Sequence, residues 1–108
     1  MPFEVLLTED AVRDLEELHL YIAEHDSPDK AGRIVDRIGE TIETLAHYPE
    51  RGAHPRELLA LGIRDYRQTF SRPYRMIYRV IGKRVYVYLI ADGRRDMQTL
   101  LACRLLGA

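Results

Sequence analysis

Cysteine is nearly absent from this sequence. Cys103 stands alone among 108 residues, so no disulfide can form within the chain, and a reducing compartment, the cytoplasm, is the expected location. With no His–Asp arrangement visible to activate it, this thiol is expected to be a buried spacer. Long hydrophobic runs are missing too. Nothing approaches the ~20 apolar residues needed to cross a bilayer, and no signal-peptide hydrophobic region follows Met1, so no membrane partner is expected. The histidines His19, His25, His47 and His54 show no i, i+4 pairing and none lies near the cysteine, which argues against a metal site. Glycine-rich phosphate loops, nucleophile elbows and paired-carboxylate motifs are wanting as well, so no cofactor is expected.

Cations are scarce in one half only. Residues 1–50 hold 13 Asp and Glu against 4 Lys and Arg, whereas residues 51–108 hold 4 against 12. The net charge of −1 therefore hides halves of −9 and +8. Such asymmetry points the second half toward something anionic, either nucleic acid or an acidic protein. A hydrophobic fraction of 46% with 31% charged residues is that of an ordinary globular protein, and the length suits one domain over residues 1–108.

The chain reads as α+β. Phe3 to Leu7 is short and apolar enough for a strand. Thr8 can cap a helix whose first turn holds Glu9 and Asp10, where the helix dipole favours acids. Ala11, Leu15, Leu18 and Ile22 recur at helical spacing and define its buried stripe. Ser27 then caps a second helix with Pro28 at its first position, and Ala31, Ile34, Val35, Ile38, Ile42 and Leu45 form a second stripe. So short a link predicts an antiparallel helical hairpin. Gly39, unfavourable inside a helix by about 1 kcal/mol, is expected to mark a close helix approach. Pro49, Gly52 and Pro55 mark a loop, after which Leu58, Leu59 and Leu61 should return to the core.

From Ile63 the pattern changes to strands: Ile63 to Phe70, Tyr74 to Ile81 and Val85 to Ala91. Gly82-Lys83 predicts a two-residue hairpin turn. Its register sets Arg79 opposite Tyr86, Ile77 opposite Tyr88 and Arg75 opposite Ile90. One face then carries Tyr74, Met76, Tyr78, Val80, Val85, Val87, Leu89 and Ala91, and must lie on the helices. The other carries Arg75, Ile77, Arg79, Tyr86, Tyr88 and Ile90 and is expected to be open. Replacing Arg75 and Arg79 together by Ala should on this reading leave the fold intact.

Arginines interleaved with tyrosines on an open face can bind anions and stack, or can simply form a solvated cross-strand surface with Arg over Tyr. Arg64 and Arg94-Arg95 stand at strand ends and could converge with Arg75 and Arg79. Arg94 and Arg95 could equally pair with Asp92 and Asp96 around a helix start, one of the two more readily than both.

Taken together, Ala11…Asp14-Leu15 with Tyr21-Ile22, then Leu45…Pro49…Gly52, Leu61-Gly62-Ile63-Arg64, Tyr74-Arg75-Met76-Ile77-Tyr78-Arg79-Val80 and Asp92-Gly93-Arg94-Arg95-Asp96 resemble the RelE/ParE superfamily of bacterial type II toxin–antitoxin toxins. The order and spacing of these pieces span nearly the whole chain. The resemblance implies an N-terminal strand, a helical hairpin packed on a mainly antiparallel small sheet, and a short C-terminal helix. RelE-like members are messenger-RNA endonucleases acting on the ribosome; ParE-like members inhibit DNA gyrase.

Cleavage through a 2′-hydroxyl needs a base, an acid for the leaving oxygen and cations for transition-state charge. Arg75 and Arg95 match arginine positions of the RelE-like set and could supply the cations. The Tyr or His that this set carries on the last helix aligns with Leu101, which cannot transfer a proton, and the lysines of its central strand are replaced by Arg64, Arg67 and Arg72. The tail Arg95-Asp96-Met97-Gln98-Thr99-Leu100-Leu101…Arg104-Leu105 resembles the ParE-like branch. That branch implies a gyrase inhibitor without catalytic residues of its own. From their charge, Arg75, Arg79, Arg94 and Arg95 are the residues expected to contact the target. It also implies a cognate antitoxin laid along Leu15, Leu18, Ile22 and Ile38, in a heterotetramer or larger assembly. The alternatives are a ribosome-dependent endonuclease using Arg75 and Arg95, with ribosome and messenger RNA as partners, and an inactive relative serving repression.

Overall fold

The computed structural model of the chain describes residues 2–107; Met1 and Ala108, the two ends of the expected domain, lie outside the described residues. Strand β1 (Glu4–Leu7) leads into helices α1 (Glu9–His25) and α2 (Pro28–Thr44). A single-turn helix α3 (Arg56–Leu59) precedes strands β2 (Tyr66–Ser71), β3 (Tyr74–Ile81) and β4 (Arg84–Asp92), and helix α4 (Met97–Leu106) follows. The sheet runs β1-β4-β3-β2, with β1 parallel to β4 and the other neighbours antiparallel. The expected α+β architecture is thus present, with α3 added in what read as loop.

Local chemistry explains the element ends. Thr8 Oγ1 accepts from Ala11 N, and Ser27 Oγ accepts from Lys30 N with Pro28 in the first turn, so both hairpin helices begin at their expected caps. Gly82 has φ +62° and is the only residue of its turn with positive φ, the pattern of a type II′ hairpin. At the other end of β3 a tight turn through the cis Arg72–Pro73 bond pairs Ser71 with Tyr74.

Two hydrophobic clusters fill the two faces of the sheet. Ala11, Ile38, Ile42 and Leu45 of the helical hairpin and the turn after it pack on Met76, Tyr78, Val85, Val87 and Ile90. On the opposite face, Leu58 of α3 and Met97 and Leu101 of α4 pack on Ile77, Leu89 and Ala91. That second cluster corrects the expected register. Pairing follows the expectation from Ile81↔Arg84 to Tyr78↔Val87, then slips by one residue, so that Ile77 pairs with Leu89 and Arg75 with Ala91. Tyr88 is the extra residue of this bulge. A slip of one residue exchanges faces, so Leu89 and Ala91 turn away from the helical hairpin and Ile90 turns toward it. The face expected to be open is instead covered over its C-terminal part by α3 and α4.

Several smaller expectations change with it. Leu58 returns to the core, but Leu59 and Leu61 stay exposed. A Cβ on Gly39 would meet nothing within 4 Å, so no close helix approach requires that glycine. Cys103 lies exposed on α4 rather than buried as a spacer. Strand β2 begins at Tyr66, later than Ile63, because the stretch before it closes the turn after α3.

Candidate functional site

The fold does not gather the four predicted arginines. Strands β2 and β3 run antiparallel, with Tyr66 beside Arg79 at one end and Ser71 beside Tyr74 at the other. Arg79 therefore sits roughly 20 Å along the sheet from the turn that holds Arg72 and from Arg94 and Arg95. At its own end Arg79 lies 3.3 Å from Asp65 and over the Tyr66 ring at 5.8 Å. Tyr66 in turn stacks edge-on against Tyr88 at 5.4 Å. This is the solvated Arg–Tyr surface, with Tyr66 as the partner in place of Tyr86 or Tyr88. Arg64 is exposed before β2, at the same end.

Arg75 is the main correction. The cover of α3 and of Gly93 buries it to 8% exposure, so it does not face solvent. Its Nη1 and Nη2 donate to the two carboxylate oxygens of Glu57 at 2.9 and 3.0 Å, and Nη2 also donates to Gln68 Oε1. The guanidinium holds the Glu57 carboxyl below its ordinary range, against the upward push of burial. Arg75 Nε is buried with no partner. The opposed charge of Glu57 is the reason the side chain can be buried at all. Gly93 closes over this strut, since a Cβ there would sit 2.9 Å from Arg75 Cδ.

Above that strut lies the exposed cationic turn. Arg94 chelates Asp92 through Nε at 2.9 Å and Nη2 at 2.6 Å, and this pairing holds the Asp92 carboxyl below its ordinary range. Asp96 is taken by the cap of α4, accepting from Thr99 N and Oγ1. One arginine of the pair is therefore tied to a neighbouring carboxylate, as one of the two weighed readings had it. Arg95 is exposed and makes no ion pair among the described residues. Arg72 and Arg94 line one shallow hollow with Phe70 and Pro73, floored by Arg75 and Gly93. Arg67 is spent on the loop, donating to Gly52 O at 2.8 Å.

No histidine stands beside that turn among the described residues, while the Tyr74 side chain lines a hollow with Arg94 and Arg95. Leu101 is 1% exposed in the second cluster, a packing residue by position. His54 Nδ1 donates to Tyr66 O at 2.9 Å, at the far end of β2 from the cationic turn, and His47 is an exposed residue after α2. Among the described residues no group of His, Cys, Asp and Glu has the arrangement of a metal site, and no helix is long and apolar enough to cross a membrane.

Of the residues expected to meet an antitoxin, Ile38 is fully buried and Ile22 nearly so, while Leu15 and Leu18 are half-buried. The exposed apolar surface of α1 lies one position round the helix, at Val12, Leu20 and Tyr21. Leu15 joins Leu7, Val12, Leu20 and Val35 along an open apolar groove of about 420 Å³. The helical stripe marked what is buried; the flanking apolar residues Val12 and Leu20, outside the stripe, were the available signal for what is not.

The fold, a small mixed sheet with a helical hairpin on one face, recurs in solved structures. The chain superposes on a component of the chromosomal ParDE toxin–antitoxin system of P. aeruginosa with a TM-score of 0.70 at 24% identity, covering 83% of this chain and 95% of that one. It also superposes on a chain of the RelBE2 toxin–antitoxin complex of Mycobacterium tuberculosis with a TM-score of 0.64 at 23% identity, covering 85% and 99%. In sequence it is 50% identical over 42 residues to a candidate toxin, Y4kP of Sinorhizobium fredii, a match spanning 39% of this chain and 43% of that relative's length. The family model for the ParE toxin of the type II toxin–antitoxin system parDE matches residues 5–97, and the chain belongs to that family.

Proposed function

We propose that this toxin acts in the cytoplasm by binding DNA gyrase and inhibiting it, with no bond-making chemistry of its own. The observation that carries this reading is the state of Arg75. A ribonuclease would need that guanidinium free for a scissile phosphate, whereas here Glu57 and Gln68 occupy it. Leu101, buried against Ile77 and Leu89, supplies no proton donor beside it. Arg94 and Arg95, exposed at the β4–α4 turn, are the target contacts of choice. Arg79 would serve a second, separate contact at the far end of the sheet.

A cognate antitoxin belongs to the same proposal. Its apolar segment would lie in the groove between α1 and α2 that Leu15, Val12 and Leu20 line, covering exposed apolar side chains that a free toxin leaves in water. The two solved relatives come from toxin–antitoxin systems, which supports such a pairing; an assembly of heterotetramer size or larger belongs to the same proposal.

A supercoiling assay with purified gyrase tests the target. Gyrase poisoning predicts loss of supercoiling, with cleaved DNA, in proportion to added toxin. Intact supercoiling together with cutting of ribosome-bound messenger RNA would show the ribonuclease instead.

A further inference from the structure

Three of the four cations of the acidic first half stand together. Lys30, Arg33 and Arg37 stand at i, i+3 and i+7 on α2, which puts them on one helical face over about 10 Å. Opposite them the β2–β3 turn presents Arg72. The four line one cleft of about 340 Å³ with the Ser71 hydroxyl and Tyr74. Three of the first half's four cations thus come to the edge where the basic half makes its tightest turn.

Ion pairing does not account for this cluster, and only Arg72 lies over an aromatic ring, that of Phe70 at 6.0 Å. Arg33, Arg37 and Arg72 are exposed and form no ion pair among the described residues; only Lys30 has one, with Asp26 at 2.6 Å. Guanidinium groups gathered on one cleft without ion-pair partners raise its positive potential, a cost in folding that an anionic ligand would offset. The cleft is also continuous with the candidate site, since Arg72 and Pro73 line the adjoining hollow with Arg94.

We propose that this cleft holds the phosphodiester backbone of a nucleic acid strand, with Arg33, Arg37 and Arg72 pairing to successive phosphates. Successive phosphates of one strand rise about 3.4 Å along the duplex axis and lie farther apart along the winding backbone, so the ~10 Å face of α2 matches about two of them, with Arg72 placed for a neighbour. Guanidinium forks bind phosphate oxygens at two points, and the Ser71 hydroxyl can add a hydrogen bond. An acidic protein segment fits less well. Stable protein docking needs apolar anchors at its centre, and this cleft offers only Ile34 and Pro73 beside its cations and the Tyr74 ring. The inference does not depend on which macromolecule the toxin inhibits.

Fluorescence anisotropy tests it, using the full chain with a short labelled DNA duplex and a single-stranded RNA of equal length, across salt from about 50 to 200 mM. The unaltered protein should bind at least one of them, with affinity falling steeply as salt rises. Arg33→Ala with Arg37→Ala should weaken binding about tenfold or more and lower the slope of log affinity against log salt by about 2. Arg72→Ala, on a different element, should lower it by about 1. Arg13→Ala, exposed on α1 and paired with Asp10, should change neither. Tighter binding of the duplex would name DNA as the ligand, and tighter binding of the single strand RNA; both support the site. Failure to bind either, a slope unchanged in well-folded variants, or equal binding of poly-glutamate would overturn it.

Discussion

Asp14 and Arg104 meet in a two-point fork, Nη1 to Oδ2 at 2.8 Å and Nη2 to Oδ1 at 2.9 Å, joining the first long helix to the last across 90 positions of sequence. The fork stands where β1 has ended and β4 runs on without a neighbour on that side. Asp14 Oδ2 accepts from Ile90 N, and Arg104 Nη1 donates to Tyr88 O, so two side chains satisfy backbone groups that a longer β1 would have paired. They do so at the bulge, the point on which the assignment of faces turns.

Arg104→Ala is therefore expected to destabilise the fold by about 3 kcal/mol, the lower end for breaking a buried pair, since both side chains keep some solvent contact. Asp14→Ala should cost a similar amount, and the double variant clearly less than the sum. Urea denaturation of the four proteins measures that coupling.

Arg75→Ala strands Glu57, whose side chain is 12% exposed, and should cost about 3 kcal/mol. Arg79→Ala breaks a solvent-exposed pair and a long contact over the Tyr66 ring, and should cost about 1 kcal/mol or less. The double Ala variant is thus expected to lose stability, contrary to what an open Arg face implies. Arg75→Met with Glu57→Leu should recover most of it. If Arg75 acts only as a strut, that repaired variant stays toxic on expression; a folded but harmless one would show that the guanidinium itself is used.

Acid should weaken the fold through Glu57 and Asp92. Both carboxyls are held below their ordinary values of 4.5 and 3.8, each chiefly by its hydrogen-bonded arginine, Arg75 and Arg94 respectively. A carboxyl depressed in the folded state contributes its full stability above the unfolded value and loses it as pH falls through the folded one. The urea midpoint should hold steady from neutrality down to the ordinary carboxyl range and then fall. In Glu57→Gln the midpoint should start lower and fall less steeply with acid.

Two glycines should respond in opposite directions. Gly39→Ala adds a methyl in open space within α2 and should stabilise by about 0.5–1 kcal/mol, raising Tm by roughly 3–6 °C. Gly52→Ala would drive its Cβ into the Gln68 carbonyl oxygen and the Tyr78 hydroxyl, which donates to Pro49 O at 2.7 Å, and should cost about 2 kcal/mol or more. Thermal melting followed by circular dichroism separates the two.

What the sequence by itself determined is everything with a local cause. Thr8 and Ser27 begin their helices because their side chains cap backbone donors within three residues, and Gly82 turns its hairpin because it alone there takes positive φ. The apolar stripes of α1 and α2 follow from the helical period, and the order of elements carried the family resemblance. Only the tertiary structure decided the rest. The bulge at Tyr88 leaves no mark in an alternating pattern, because Leu89, Ile90 and Ala91 are apolar in either register. Nor does the local pattern mark Arg75, which is buried because Glu57, 18 positions earlier, arrives on a one-turn helix to neutralise it. Arg33 and Arg37 likewise read as part of an acidic half until the Arg72 turn folds beside them. Charge counted along the chain sums over neighbours in sequence, whereas the field that a ligand meets sums over neighbours in space.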